Sequence, residues 1–388
     1  MCDGNVTMIS PALRGWLSQL LGMPESVIEG MAGQLSNVIL STYHGPITLE
    51  RYDSLSLSDL RAPILERGLR LFKYYPDEVS PQTGINYSRK SLESGTVHLS
   101  SPENYNDPFD CAPAFDAQKV LRNTLKRLSD YFELQVEDDG ELCDYGTAVA
   151  DAMNQLGEKG TPKLATLSAG TGVLDAQVLY LWILLTARNH GQIRCDDLIS
   201  VINNKIENTI GLMRGCRVAC FTTNCQNLYM WAHYANSHKG YCVEYETSTE
   251  RLLSLGYTNE QLGSIFGNTF SVFYHPRRPD CTEIMTQLLS YSLDNELLAK
   301  LYARALCSKG FNWVFEEECR LIIQNQSDPS ELPFLPPKRL YLGARARDDE
   351  GDVSELLGIC RDKDIEVVRM IPQQSTYELR EMSPRESE

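Results

Sequence analysis

The sequence predicts an α+β fold, with a mixed or antiparallel sheet as its core, a helical insertion and a small helical N-terminal region. Two observations lead there. Short apolar and aromatic runs bounded by turn residues occur both early and late in the chain, and a long stretch of helix-patterned sequence lies between them. The 388 residues, 42% hydrophobic and 23% charged, are enough for one large or two medium globular domains.

Taken in order, Leu13, Trp16, Leu17, Leu20 and Leu21 recur at helix-face spacing, Pro24 interrupts, and a second segment runs through Ile39. Residues 1–60 are therefore predicted as a helical preface, which offers a surface to a protein partner. The main domain is expected over 61–380. It opens with a strand in LRLFKYYP and a second from Thr96 to Leu99, before the turn-rich PENYNDPFDC. A helical insertion spans about 117–213. Strands resume at CRVACFTT, GYCVEYE, FSVFYH, EECRLII, KRLYLG and DIEVVRM, with a short aromatic helix after the first and a helix from Glu283 to Ala305. Residues 381–388 read as a flexible tail.

Composition narrows the function classes. The longest apolar stretch, Val178 to Leu185, is about half of the roughly 20 residues that cross a bilayer, and Asp175 and Arg188 bracket it. A buried helix is expected there, with no membrane partner. The N-terminus lacks a basic region followed by an apolar core, so a cytoplasmic location is expected, and the twelve cysteines read as reduced thiols. A net charge of -16 disfavours coating of nucleic acid, although Lys338, Arg339, Arg345 and Arg347 could form a local basic groove on a nucleic-acid target. Cys216, Cys220, Cys225, His233, His238 and Cys242 include zinc-type ligands but contain no CxxC pair, and no metal is expected. A Walker loop, a GxSxG elbow and an HExxH motif are all missing.

Three segments concentrate chemistry. In NDPFD, Pro108 fixes the backbone, Asn106 and Asp107 either cap the turn or face a ligand, and Phe109 is expected to anchor the loop in the core. In WAHYANSHKGYCVEYE, Trp231, Tyr234 and His238 fall on one helix face, His238 and Lys239 stand where the helix ends, and Gly240 is the expected left-handed terminator. If FEEECRLII is a strand, Glu316, Glu318 and Arg320 share one face at steps of ~7 Å, and Phe315, Glu317, Cys319 and Leu321 share the other. Paired carboxylates beside a guanidinium suit acid/base work, and equally a solvated ion pair.

Together LFKYYP, SSPENYNDPFDC, CFTTNCQNLYMWAHYANSHKGYCVEYE, FEEECRLI and a late YLG resemble the bacterial domain-of-unknown-function family 2971, over roughly Leu71 to Met370. Cys319 departs from the aromatic residue that the family often has. A more distant likeness is to ADP-ribosyltransferases. It implies Lys73 and Tyr74 on an early strand, Thr222 at the end of a middle strand, and Glu316 or Glu318 on a late one. NAD would be the substrate, Glu318 the preferred catalytic carboxylate and Glu316 its partner. Tyr74, Trp231 or Tyr234 would stack on a ring, and Lys239 or Arg320 would meet phosphates. A bacterial defence or toxin-type effector follows as the setting. Two alternatives stay open: a hydrolase or nuclease using Asp107, His238 and Glu318, and a non-enzymatic module that binds a small anion or nucleotide.

Overall fold

The computed structural model describes residues 24, 26, 38–41, 44–64, 68–138, 140–156, 195–290, 295–324, 330–347 and 351–382. Its elements begin with β1 (Val38–Ser41), β2 (Gly45–Thr48), α1 (Leu49–Ser54), α2 (Leu57–Leu60), β3 (Leu71–Tyr75), α3 (Tyr87–Ser94) and β4 (Thr96–His98). Helices α4 (Ala117–Tyr131), α5 (Leu142–Leu156) and α6 (Cys195–Arg214) follow. Next come β5 (Cys216–Thr222), α7 (Leu228–Tyr234), β6 (Tyr241–Tyr245), α8 (Thr249–Ser254), α9 (Asn259–Gly267), β7 (Thr269–Ser271) and β8 (Phe273–His275). The chain continues through α10 (Thr282–Ser290), α11 (Asn295–Leu306), β9 (Ser308–Gly310), a 3-10 helix (Phe311–Glu316) and β10 (Glu318–Gln324). It closes with β11 (Glu331–Pro333), β12 (Pro337–Leu342), α12 (Gly351–Asp362), β13 (Glu366–Pro372) and β14 (Leu379–Glu381). The fold is α+β.

Two compact units divide the chain. The first takes in the chain up to Asp110, Gly215–Arg277 and Cys307 onward; the second takes Cys111–Arg214 and Arg278–Leu306. In the first unit an eight-stranded mixed sheet has the order β14-β13-β12-β6-β3-β5-β10-β7, in which only β12 and β13 pair parallel. A four-stranded sheet, β2-β1-β8-β9, and the pair β11-β4 complete it. Strand alternation puts Leu71, Tyr75, Ala219, Phe221, Cys319 and Leu321 on one face of the large sheet, in a core with Leu92, Ile265 and Leu356. The opposite face packs Phe72, Tyr74 and Cys242 against Met230 and Trp231 of α7. In the second unit, α4 carries Val120, Leu121, Leu125 and Leu128 at helix-face spacing, all buried. Arg127 of α4 bonds Glu283 of α10 at 2.6 Å, and Arg278 donates to the carbonyls of Ala112 and Pro113.

Several expectations change. Residues 38–41 and 45–48, expected as the end of the helical preface, form the antiparallel pair β1–β2, because Ile39 and Leu40 are buried in a β1 paired on both sides, by β2 and β8, rather than on a helix stripe. The rest of that preface up to residue 37, apart from residues 24 and 26, and the apolar run 178–185 lie outside the described residues. FSVFYH is two strands in two different sheets, since Val272 donates to Glu318 O while Phe273 donates to Cys307 O. Glu381, placed in the tail by sequence, pairs with Met370. Among the described residues no helix is long and apolar enough to cross a membrane.

Candidate functional site

The site begins with a gap in a strand ladder. β3 and β5 pair only at Phe72 and Thr222, while Val218 of β5 exchanges backbone hydrogen bonds with Ser100 instead. Between these two points the carbonyl of Cys220 accepts a hydrogen bond from Lys73 Nζ at 3.0 Å. A side chain stands where a strand partner would, and the sheet opens into a cleft of about 350 Å³. All its lining residues belong to the first unit.

A buried ionic network lies along the cleft. Arg320, with no solvent exposure, donates through both terminal nitrogens to Asp110 at 2.8 Å, and through Nε and one terminal nitrogen to Glu318 at 2.8 and 3.0 Å. Lys309, carried by β9, meets Glu316 at 2.5 Å, Glu318 at 3.3 Å and Asp110 at 3.4 Å. Tyr234 of α7 donates to Glu316 at 2.6 Å, and the Glu318 backbone N–H donates to the Tyr274 hydroxyl at 2.8 Å. Arg320 also lies over the Tyr105 ring, and Lys309 over Trp313.

Three carboxylates face two cations here, an excess of one negative charge. The excess separates the two glutamates. Burial and then the neighbouring Glu318 raise Glu316 to about 7. Burial would also raise Glu318, but Arg320 and then Lys309 outweigh it and hold Glu318 well below the usual carboxylate range. Burial opposes the charge on Lys309, yet Glu318 and Glu316 keep it firmly protonated. Tyr234 is raised by burial and by Glu316, so its phenol stays a donor. The Cys220 thiol, pushed up to about 12 chiefly by burial, is no thiolate nucleophile.

The cleft gathers Lys73, Tyr74, Asn106, Thr222, Tyr234, Glu316, Glu318 and Arg320 from the residues singled out by sequence. Their details differ from expectation. Glu316 ends the 3-10 helix rather than starting a strand, and Glu317 turns the chain with a φ of 47° before β10 begins at Glu318. Arg320, expected toward a phosphate, directs its side-chain donors to the carboxylates of Asp110 and Glu318. Tyr74 donates to Asn224 O, and Thr222 accepts from Asn224 N. Lys338 and Arg339 of the expected basic groove pair with Glu244, Glu366 and Glu381.

Asp107, Phe109, Trp231, His238 and Lys239 do not line the cleft. Asp107 accepts from Phe109 N in a turn, and Phe109 is 65% exposed. The buried place in that loop belongs to Asp110, because its carboxylate answers Arg320. Trp231 is core, edge-on to Tyr74 and bonded to Cys225 O. α7 stops at Tyr234, and Asn236, Ser237 and His238 follow with positive φ, so His238 leaves the helix face. Its ring stacks on Trp231 in a separate pocket with Arg345. Gly240 is not the left-handed terminator: a Cβ there would lie 2.1 Å from Tyr75 O, so close backbone approach requires glycine.

Asp110, Lys309 and Tyr105 are not singled out by sequence, and Cys220 enters only among the zinc-type ligands. Asp110 sat inside a recognised motif. Nothing in SKGFNWVFEEE marks Lys309, because its role depends on β9 pairing with β8.

Residues 230–321 match the family model described as protein of unknown function (DUF2971). The DUF2971 match takes in Tyr234, Lys309, Glu316, Glu318 and Arg320, whereas Lys73, Tyr105 and Asp110 precede it. No curated protein and no solved structure matches the chain.

Proposed function

We propose that the protein cleaves the nicotinamide–ribose bond of NAD, passing the ribosyl carbon to water or to an acceptor. The observation that carries this reading is the adjacent pair Glu316 and Glu318, displaced in opposite directions from the ordinary carboxylate range inside an aromatic-walled cleft. Breaking the bond builds positive charge on the ribose ring, and the ionised Glu318 supplies a fixed negative charge against it. Nicotinamide departs as a neutral ring and needs no proton. Glu316 takes the proton of the attacking water or acceptor, as suits a group that titrates near neutrality. Asp110, Arg320 and Lys309 are positioning residues that hold the glutamates.

The charge of the cleft supports the nicotinamide end as the part inserted. The network's excess negative charge, with Tyr74, Tyr105 and Tyr234 around it, complements a cationic aromatic ring. The diphosphate would remain toward solvent. Such an activity, draining cellular NAD, fits a defence or toxin-type effector.

Incubation with NAD should release nicotinamide, with Glu318→Gln and Glu316→Gln each slowing release by about 10²–10⁴-fold. Absence of both nicotinamide and ribosylated product, or variants equal to the parent, would overturn the reading. The alternative set Asp107, His238 and Glu318 is not assembled in one cleft, which weighs against a hydrolase or nuclease built on it. A binding module draws support from the closure of the ionic network; a melting shift with NAD and no turnover would favour it.

A further inference from the structure

We propose that Lys73 is an amine nucleophile, condensing with the aldehyde of a small hydroxyaldehyde in the cleft to form an imine. This activity shares the cleft of the glycosidic reading without depending on it.

Lys73 stands at the middle of β3, where strand alternation directs it to the side of Leu71 and Tyr75. Its Nζ donates to Cys220 O, and among the described residues no carboxylate lies within ion-pair distance of it. A neutral amine keeps that bond, since one N–H suffices, and retains a lone pair. Lys309 makes the contrast: three carboxylates surround it in the same cleft. The facing groups around Lys73 are Cys220 of β5, Glu318 of β10, Tyr75 of its own strand and His98 of β4. Burial lowers the Lys73 pKa, and the opposing influence of Cys220 and Glu318 does not restore it. Lys73 is therefore the cleft amine with nucleophilic character.

The ligand class follows from the lining. Ser88, Ser100, Asn106 and Thr222 offer hydroxyl and amide groups suited to sugar-like hydroxyls. An excess negative charge disfavours an anionic carbonyl compound. The volume of about 350 Å³ suits a small molecule. In the reaction the amine lone pair attacks the carbonyl carbon and the C=O π pair moves to oxygen. The resulting carbinolamine loses one water as the nitrogen pair closes the C=N bond. No electrons are gained or lost.

The test uses the full chain with glycolaldehyde and cyanoborohydride, which reduces an imine to a stable amine, followed by peptide mass mapping. Lys73 is expected to be labelled faster than the exposed Lys239 and Lys338, since its amine hydrogen-bonds a carbonyl rather than a carboxylate and burial disfavours its charged form. Lys73→Arg retains a donor for Cys220 O and should abolish that adduct while leaving the thermal midpoint within a few degrees. Labelling of Lys239 and Lys338 at an equal or greater rate, or an unmodified Lys73, would overturn the proposal. A Lys73 adduct in a protein that releases no nicotinamide would sustain it while removing the glycosidic reading.

Discussion

Arg320 holds two carboxylates at once, Asp110 through a parallel pair of hydrogen bonds and Glu318 through a second pair. Such an arrangement has little tolerance for partial removal, because a buried carboxylate deprived of its cation keeps its desolvation cost. Arg320→Met should lower stability by about 3–5 kcal/mol in urea unfolding. A cost below about 1 kcal/mol would show that water already screens the pair. The same scale explains the reversal in NDPFD. Hydrophobicity alone assigns Phe109 to the interior, but ion pairing places Asp110 there and leaves the phenyl ring outside.

The strands were readable one by one, and the cleft arises from how two of them fail to pair. β3 and β5 each show apolar and aromatic alternation, yet nothing in either announces a ladder that opens after one residue pair. On the other side of β3, the ends of neighbouring elements approach closely. Gly240 passes Tyr75 O, and Gly343 passes His238 O, each within 2.1 Å of where a Cβ would stand. Both contacts are with backbone, so no flexible side chain can yield. Gly240→Ala should therefore lower the thermal midpoint and shift β6 relative to β3, at a cost of more than about 2 kcal/mol. Near-neutral behaviour in thermal unfolding would show that the loop relaxes freely.

At the level of the whole molecule, the unequal charges of the buried network impose a pH dependence on folding. Glu316 has a folded pKa raised from 4.5 to about 7, so the native chain holds its proton more tightly than the unfolded chain. That stabilisation is fully present below about 4.5 and is lost as pH rises through about 7. Glu318 acts in the opposite sense: its lowered pKa stabilises the fold above 4.5 and loses effect as pH falls below it. Unfolding of the parent and Glu316→Gln between pH 4.5 and 7.5 isolates the first contribution. The parent should lose up to about 3 kcal/mol relative to the variant across that range. Parallel curves would show that Glu316 titrates normally.

The sequence by itself determined the α+β class, most strand positions of the large sheet and the face of β10 on which Glu318 and Arg320 stand, because those follow from local alternation and turn chemistry. It also pointed to Glu316, Tyr234 and the NDPFD loop as parts of a site. Only the tertiary structure decided which residue of each segment enters. Lys309 comes from a three-residue strand, Asp110 is fixed by a partner 210 positions away, and His238 is carried off by three left-handed residues. Ion pairing and strand register are long-range properties: they depend on which distant groups share a buried, poorly screened space, and local periodicity carries no record of that.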